Sequence, residues 1–538
     1  MVESLTARAE AARDAASGSR EAAISGRRGG RAARQALRAA EPAVDDRPVR
    51  PGLVGGRYRA LDPPQIEAIN EAVLEVLETI GLADPIPSCV AAVTAKGGVM
   101  GDDGRLRFPR ALIEETLAVA ARGFTLHGQA PERDMQPHDG RVYFGTAGAA
   151  VHVVDPETGV YRNSEVRDLY DAARLVDRLD HIHFFQRPLV CRDLPDPREM
   201  DFNTCYAAVS GTTKHVGSSW VLPEHVEESL AMLHRIAGGE EAWRARPFVS
   251  MSNCFVVPPM KFAEDACRCL EAAVAGGMPV LLLAAGQAGA TSPAALAGAV
   301  VQETAEVLAG LAYVNALKPG HPAIFGTWPF VSDLRTGAMS GGSGEQALLM
   351  SACAQMAQFY GLTGGVCAGM SDSKLPDAQA GAEKGLNYAL VGHSGANLVY
   401  EAAGMHASLL GFSLESLVLD NDALGAVNRT IRGIECDADS LSVETIRDVC
   451  LNGPGHYLGH AQTLARMQKD YVYPLIGDRT SPKEWVEQGS TDALTRARRK
   501  TAEILGGYYP THIEPAVDAE IRRDFPVRLP EAATRAGG

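Results

Sequence analysis

The sequence predicts an α/β fold, a closed barrel of eight parallel strands alternating with helices, with an N-terminal helical and β-hairpin layer before it and a C-terminal helical extension after it. Three observations predict it. Beyond Ser164, seven short apolar runs alternate with helical stretches. The runs are apolar almost throughout, as strands covered on both faces are, whereas a half-solvated sheet alternates polar with apolar residues. An eighth run, in the Val142–Val154 region, supplies the strand that closes the ring. A chain of 538 residues has the length of about three or four ordinary domains, but one TIM barrel takes up about 250 residues by itself.

Taken in order, residues 1–50 are expected to form a basic tail, disordered or loosely helical. The first 40 hold eight arginines, no lysine and four acids, with no apolar core of the secretory kind. From Pro63 on, Ile66, Ile69, Val73, Val76, Leu77 and Ile80 recur at helical spacing, and Gly81 ends the run. A second helix is expected over Phe108–Ala121, with Pro109 in its first turn. Val142–Gly145, Ala150–Val154 and Val160–Arg162 are separated by glycine and by Asp155-Pro156-Glu157-Thr158-Gly159, which is hairpin chemistry. Residues 51–163 therefore read as a layer capping the barrel.

The barrel core is expected over 164–420. Its strands are Ile182–Val190, Lys214–Trp220, Phe248–Val256, Pro279–Leu283, Ala323–Trp328, Gly365–Met370 and Ala396–Tyr400. The intervening helices are Met200–Ser210, His225–Ile236, Met260–Val274, Ala294–Tyr313, Glu345–Phe359 and Asp377–Val391. Residues 421–538 form the extension.

Composition narrows the function. With 46% hydrophobic and 22% charged residues the chain is not disordered throughout. Its 66 acids against 51 bases, a net charge of −15, argue against a protein that neutralises nucleic-acid phosphates or adsorbs to anionic membranes. No apolar run reaches the roughly 18 residues of a membrane span, since the best candidate, from Ala294, is broken by Gln302, Glu303 and Glu306. The ten cysteines are scattered with no paired C-x-x-C units, which suits buried free thiols in a reducing, cytoplasmic compartment. The expected partners are a small molecule and a protein, and the expected assembly is a homo-oligomer.

Several motifs are set aside. No G-x-G-x-x-G follows an early strand and no G-x-x-x-x-G-K-[ST] occurs. Gly337–Gly344 precedes a helix but lacks a lysine, so it reads as a flexible loop at the barrel mouth rather than a phosphate site. His181-Ile182-His183 has paired-histidine spacing but falls at the start of its strand, the wrong end for a metal centre. Gly392-His393-Ser394-Gly395-Ala396 precedes a strand where a nucleophile elbow follows one. His456 and His460 are expected to share a helical face, with no glutamate to complete a zinc-protease motif. No metal site is expected.

Chemistry belongs at the carboxyl ends of the strands, where the βα loops gather. Those ends carry Trp220; Asn253 and Phe255; Gln287; Trp328 and Phe330; Ser371, Asp372 and Lys374; and Tyr400 with Glu401. Aromatics make up only 6% of the chain, yet two of its four tryptophans stand here. Aromatic faces with carboxylates nearby suit a cation, although Trp328 and Phe330 also fit as plain packing at the barrel rim.

The same strand ends carry longer motifs. They are Gly326-Thr327-Trp328-Pro329, Ser340-Gly341-Gly342-Ser343-Gly344-Glu345, Ser371-Asp372-Ser373-Lys374 with Pro376-Asp377-Ala378-Gln379-Ala380, Gly395-Ala396-Asn397-Leu398, Leu419-Asp420-Asn421-Asp422 and Gly455-His456-Tyr457-Leu458-Gly459-His460. With Arg27-Arg28-Gly29-Gly30-Arg31 and Phe144-Gly145-Thr146-Ala147-Gly148, they span roughly residues 25 to 525 and resemble the trimethylamine:corrinoid methyltransferase family. The resemblance implies a TIM-barrel enzyme that moves a methyl group from a methylated amine to the Co(I) corrinoid of a separate small protein. The chain itself would hold no tight cofactor, cobalamin being carried by that partner. Founding trimethylamine enzymes of the family carry pyrrolysine in the barrel, whereas this chain has only the twenty standard residues. Family members of that kind with known substrates act on quaternary amines such as glycine betaine.

From position alone, Trp328, Phe330 and Tyr400 are expected to cage the cation and Asp372 or Glu401 to act on it electrostatically. Lys374, Asn253 or Gln287 would hold a betaine carboxylate. A barrel that binds a methylated amine without turning it over, and a metal-dependent hydrolase, are the alternatives.

Overall fold

Eight short parallel strands form a closed ring in the computed structural model, which describes residue 47 and residues 49–536 except Pro454. They are β1 (Arg141–Phe144), β2 (Phe185–Gln186), β3 (Val216–Ser218), β4 (Val249–Asn253), β5 (Val280–Ala284), β6 (Ala323–Thr327), β7 (Gly364–Cys367) and β8 (Leu398–Tyr400). Each pairs in parallel with the next from β2 to β8, and β8 pairs in parallel with β1. A parallel bridge between Gly145 and Phe184, with His183 N donating to Phe144 O at 2.6 Å, joins β1 to β2 and completes the circle. The fold is therefore a (β/α)8 barrel.

One helix follows each strand: α1 (Val166–Asp177), α2 (Pro197–Gly211), α3 (Pro223–Ala237), α4 (Glu264–Ala275), α5 (Leu296–Leu317), α6 (Gly344–Phe359), α7 (Ala378–Ser394) and α8 (Leu414–Arg432). Local chemistry sets their starts. Asp196, Ser343 and Asp377 accept backbone N–H groups of the first turns of α2, α6 and α7, and proline opens α2 and α3. All five residues of β5, Val-Leu-Leu-Leu-Ala, are buried, as are all five of β6, which matches strands covered by helices outside and by barrel filling inside.

The barrel starts earlier and ends later than 164–420. Its first strand lies inside the stretch expected as a cap, and its last helix runs to Arg432. The hairpin expected over 150–162 is present, with His152–Val154 antiparallel to Tyr161–Asn163, but it is an insertion between β1 and α1. It pairs in parallel with Gly411–Phe412 after β8, which is itself antiparallel to Met405–His406. One four-stranded sheet thus unites the first and last βα connections beside the mouth.

The last part of the N-terminal segment, residues 129–137, covers the opposite end. Gln129 Nε2 donates to the carbonyls of Val209 and Thr212 at 2.8 Å each, and Thr363 Oγ1 donates to Pro137 O at 2.9 Å. The helix Pro63–Thr79 packs on α5, and the hairpin Val256–Val257 with Lys261–Phe262 extends the small sheet of Leu82–Ala83, Arg105–Arg107 and Val99–Met100. Buried Lys214 donates to the carbonyls of Val176, Leu179 and Ile182 at 2.5–2.8 Å, tying the end of α1 to the approach to β2.

Helices Ala493–Gly507 and Pro515–Asp524 lie against the barrel helices α1, α8 and α3. Residues Gly433–Tyr473 belong to a separate compact unit. Within it, residues 455–460 form a turn rather than the expected helix, and His460 Nδ1 accepts from Gln462 N at 3.1 Å to cap the helix Ala461–Lys469. The basic tail and the Arg27–Arg31 motif lie outside the described residues. Among the described residues no helix is long and apolar enough to cross a membrane.

Candidate active site

A cavity of about 430 Å³ opens at the carboxyl ends of the strands. Trp328 and Phe330, just past β6, form its aromatic side, with Trp220 past β3. Trp328 is fixed from two directions: its Nε1 donates to Gly365 O on β7 at 3.1 Å, and its own N–H donates to Ala284 O at 2.9 Å. Phe330 is held by its N–H, which donates to Gly286 O at 2.8 Å. Trp220 Nε1 donates to Ser229 Oγ at 2.8 Å.

Glu401, the residue after β8, reaches the cavity from a backbone with φ of +58°, a left-handed conformation that a side chain of this size adopts only when its surroundings impose it. Its carboxyl is buried with one oxygen unpaired, and burial raises its pKa to about 8 despite a hydrogen bond with the Cys367 thiol. At neutral pH the group is mostly protonated. A positive charge placed beside it would favour the carboxylate. Asn253 also lines the cavity; its Nδ2 is used by Ala266 O at 2.9 Å, and its buried Oδ1 has no partner.

Of the eight residues singled out, Trp328, Phe330, Glu401 and Asn253 meet at this cavity. The other four do not line it. Tyr400 is one layer deeper, its ring between those of Trp328 and Phe184 at centroid distances of 5.2 and 4.9 Å. Gln287 pairs through its backbone with Phe330 in a two-stranded ribbon outside the mouth. Lys374 is exposed, its Nζ donating to Asp372 O at 2.7 Å.

Asp372 is turned away from the cavity and engaged by hydroxyls. Its carboxylate accepts from Ser340 Oγ at 3.1 Å and from Ser408 Oγ. Ala407, Ser408 and Leu409 are three consecutive non-glycine residues with positive φ, and Leu409 lines the cavity. Asp372 thus clamps a strained loop that sets one wall of the site. The other predicted strand-end residues are structural as well: Phe255 is buried against Phe262, and Ser371 Oγ donates to Glu383 at 2.7 Å.

Four polar residues escaped the sequence reading of the site. Arg187 lines the cavity just beyond β2. Asp201 also lines it, its carboxylate accepting from Val221 N and engaging His225 Nδ1, both at 2.7 Å. Behind the aromatic side, α5 carries Glu303 and Glu306, both fully buried. Glu303 accepts from Gly286 N, and Glu306 accepts from Met260 N at 2.7 Å and Gln302 Nε2 at 3.2 Å. Burial raises both carboxyls, Glu306 to about 7 and Glu303 well above its usual range, with the Glu306 charge adding to the rise at Glu303. The signal was available, since two acids in an otherwise apolar helix need a buried donor.

Among the described residues no group of three or more His, Cys, Asp or Glu side chains is arranged to hold a metal. His183 Nδ1 instead accepts from Phe144 N at 2.9 Å, inside the seam between β1 and β2.

The sequence profile described as trimethylamine methyltransferase (MTTB) matches residues 27–531. A trimethylamine methyltransferase, MttB2, of Methanosarcina mazei is 32% identical over 467 residues, covering 86% of this chain and 92% of that relative. A glycine betaine methyltransferase of Desulfitobacterium hafniense is 28% identical, covering 87% and 96%. The crystal structure of the Methanosarcina barkeri monomethylamine methyltransferase aligns with 84% of this chain and 96% of its own, at a TM-score of 0.45 and 12% identity. With its eight strands closed, an aromatic cavity at their carboxyl ends and a profile match over nearly its whole length, this chain belongs to the trimethylamine methyltransferase family.

Proposed function

We propose that this chain transfers a methyl group from a quaternary amine, of the kind represented by glycine betaine, to the Co(I) corrinoid of a partner protein in the cytoplasm. The observation that carries the reading is the pairing of an aromatic side, Trp328 and Phe330, with a buried, largely protonated Glu401 in one cavity at the barrel mouth. Aromatic faces attract an onium group most strongly where water is excluded. Glu401 supplies a charge that develops only when the cation is present.

The chemistry asks little more of the protein. Co(I) supplies both electrons of the new bond to the methyl carbon. The old C–N pair stays on nitrogen, and a neutral tertiary amine leaves without needing a proton. Trp328 and Phe330 desolvate and orient the onium group, and Leu409 narrows the space around it. The mouth is the face at which a partner's cobalt would meet the methyl group.

The test is direct. Purified protein is mixed with a Co(I) corrinoid protein and each of glycine betaine, choline and trimethylamine, and methyl-Co(III) is followed by absorbance. Methylation from a quaternary amine supports the reading. Tight amine binding with no methylation from any of them would leave a binding protein, and stoichiometric zinc with hydrolytic activity would leave a hydrolase.

A further inference from the structure

One charged group at the mouth has no task in the methyl transfer just described. Arg187 Nε donates to Ser219 Oγ at 2.7 Å and Nη1 donates to Leu189 O at 3.4 Å, and the side chain forms no ion pair with any described carboxylate. A guanidinium has five N–H donors and keeps its charge in proteins, so most of its donor capacity remains for a ligand in the cavity it lines. Burial works against this charge and lowers the pKa of Arg187 from its usual range. Arg187 is half-buried, the Asp201 carboxylate offsets part of the cost of its charge, and an anion that arrives with the ligand offsets more.

The neighbouring acids offset it only in part. Glu401 is mostly protonated at neutral pH. Asp201 is engaged by Val221 N and His225 and is raised by burial.

Strand order supplies the geometry. In a ring of eight, β2 and β6 stand opposite each other. Arg187 follows β2, whereas Trp328 and Phe330 follow β6. The cavity therefore presents Arg187, with Trp220 beside it after β3, on one side and Trp328 and Phe330 on the other.

We propose that Arg187 anchors the carboxylate of a zwitterionic quaternary amine, so that the site selects amines bearing a carboxylate over onium ions of similar size that lack one. This rests on the function proposed above and identifies the residue that sets its substrate class. A bare onium ion brings a second positive charge into a cavity that already holds Arg187, whereas a zwitterion pairs each of its charges. The anchor expected at Lys374, Asn253 or Gln287 is assigned instead to Arg187, at a position that faces the cage.

Isothermal titration calorimetry on the full chain tests this with glycine betaine, choline and tetramethylammonium. The wild type is expected to bind glycine betaine about 100-fold more tightly than choline, the difference that a charge-assisted pair supplies. Arg187→Met should remove most of that ratio by weakening glycine betaine about 50-fold with no loss, or a gain, for choline, and Arg187→Lys should retain part of it. The affinity ratio within one sample does not depend on the fraction of protein folded, so a poorly folding Met variant leaves the Lys variant decisive. Equal affinities in the wild type, or a variant that weakens both ligands equally, would overturn the proposal. Because calorimetry needs no corrinoid, Arg187-dependent selectivity without methylation would sink only the transferase reading. Methyl transfer from glycine betaine that is indifferent to Arg187→Met would sink only this inference.

Discussion

The indole of Trp328 lies against the ring of Tyr400 at a centroid distance of 5.2 Å and an interplanar angle of 44°, with Tyr400 in turn edge-on to Phe184 at 4.9 Å. The three rings form a stack whose outermost member faces the cavity. Room for it comes from Gly365, where a Cβ would approach both Tyr400 Cε2 and Ile324 Cγ2 to 2.9 Å. The tilt of Trp328 is thus set from beneath as well as by its bond to Gly365 O.

Trp328→Ala should weaken glycine betaine binding about 30-fold, a desolvated cation–π contact being worth about 2 kcal/mol. Tyr400→Phe should change it by no more than about twofold, because that ring supports without lining. Calorimetric titration of the two variants checks the division of labour, and comparable losses would return Tyr400 to the cage.

Gly365→Ala should destabilise the fold by about 1–3 kcal/mol through overpacking against Tyr400 and Ile324, read as a lower denaturation midpoint.

Glu401 ties stability to pH. Its native pKa, about 8, lies above its ordinary value of 4.5, so between those values the native state holds a proton that the unfolded chain has released. Its contribution is fully present below about pH 4.5 and is lost as pH rises to about 8, at up to about 1.4 kcal/mol per pH step. Glu401→Gln, neutral throughout, should gain stability relative to wild type across that window and show a constant difference above it. Thermal unfolding at pH 5.5, 7 and 8.5 measures this, and a difference that does not vary with pH would contradict the raised pKa.

Asp372→Ala should raise KM several-fold with a smaller effect on kcat, because it frees Ser408 and the positive-φ loop that places Leu409 in the cavity. Asp372→Asn, which keeps one acceptor oxygen, should fall between. A kcat collapse with unchanged KM would mean that the carboxylate itself takes part in the reaction.

Glu303→Gln should fold and bind like wild type, since a protonated glutamic acid and a glutamine offer the same carbonyl to Gly286 N. Glu303→Ala should cost about 1–3 kcal/mol by stranding that N–H, and should loosen Phe330, whose own N–H rests on Gly286 O. Chemical denaturation of the two variants separates these outcomes.

Much of the barrel was legible because a doubly covered strand leaves an unbroken apolar run: Pro279–Leu283 and Ala323–Trp328 each fall within one residue of the observed β5 and β6. Helix α1, whose twelve residues include Asp168, Asp171, Asp177, Arg167 and Arg174, gave no such block. At the site, strand ends located Trp328, Phe330, Asn253 and Glu401, but position alone does not say which way a side chain turns. Lys374 and Gln287 occupy the right loops and point elsewhere in function. Arg187 was hidden for the converse reason. The apolar run Ile182–Val190 reads as one long strand with Arg187 inside it, whereas the ladder stops at Gln186 and leaves the arginine at the mouth.

The sheet that joins His152–Val154 to Gly411–Phe412 also bears on how the chain is made. During synthesis the early hairpin emerges some 250 residues before the strand it pairs with, so one of its edges stays open until the ribosome has nearly finished the barrel. A ribosome that stalls before residue 411 would release a chain with an unpaired edge beside an unclosed seam, a species open to strand exchange with its neighbours.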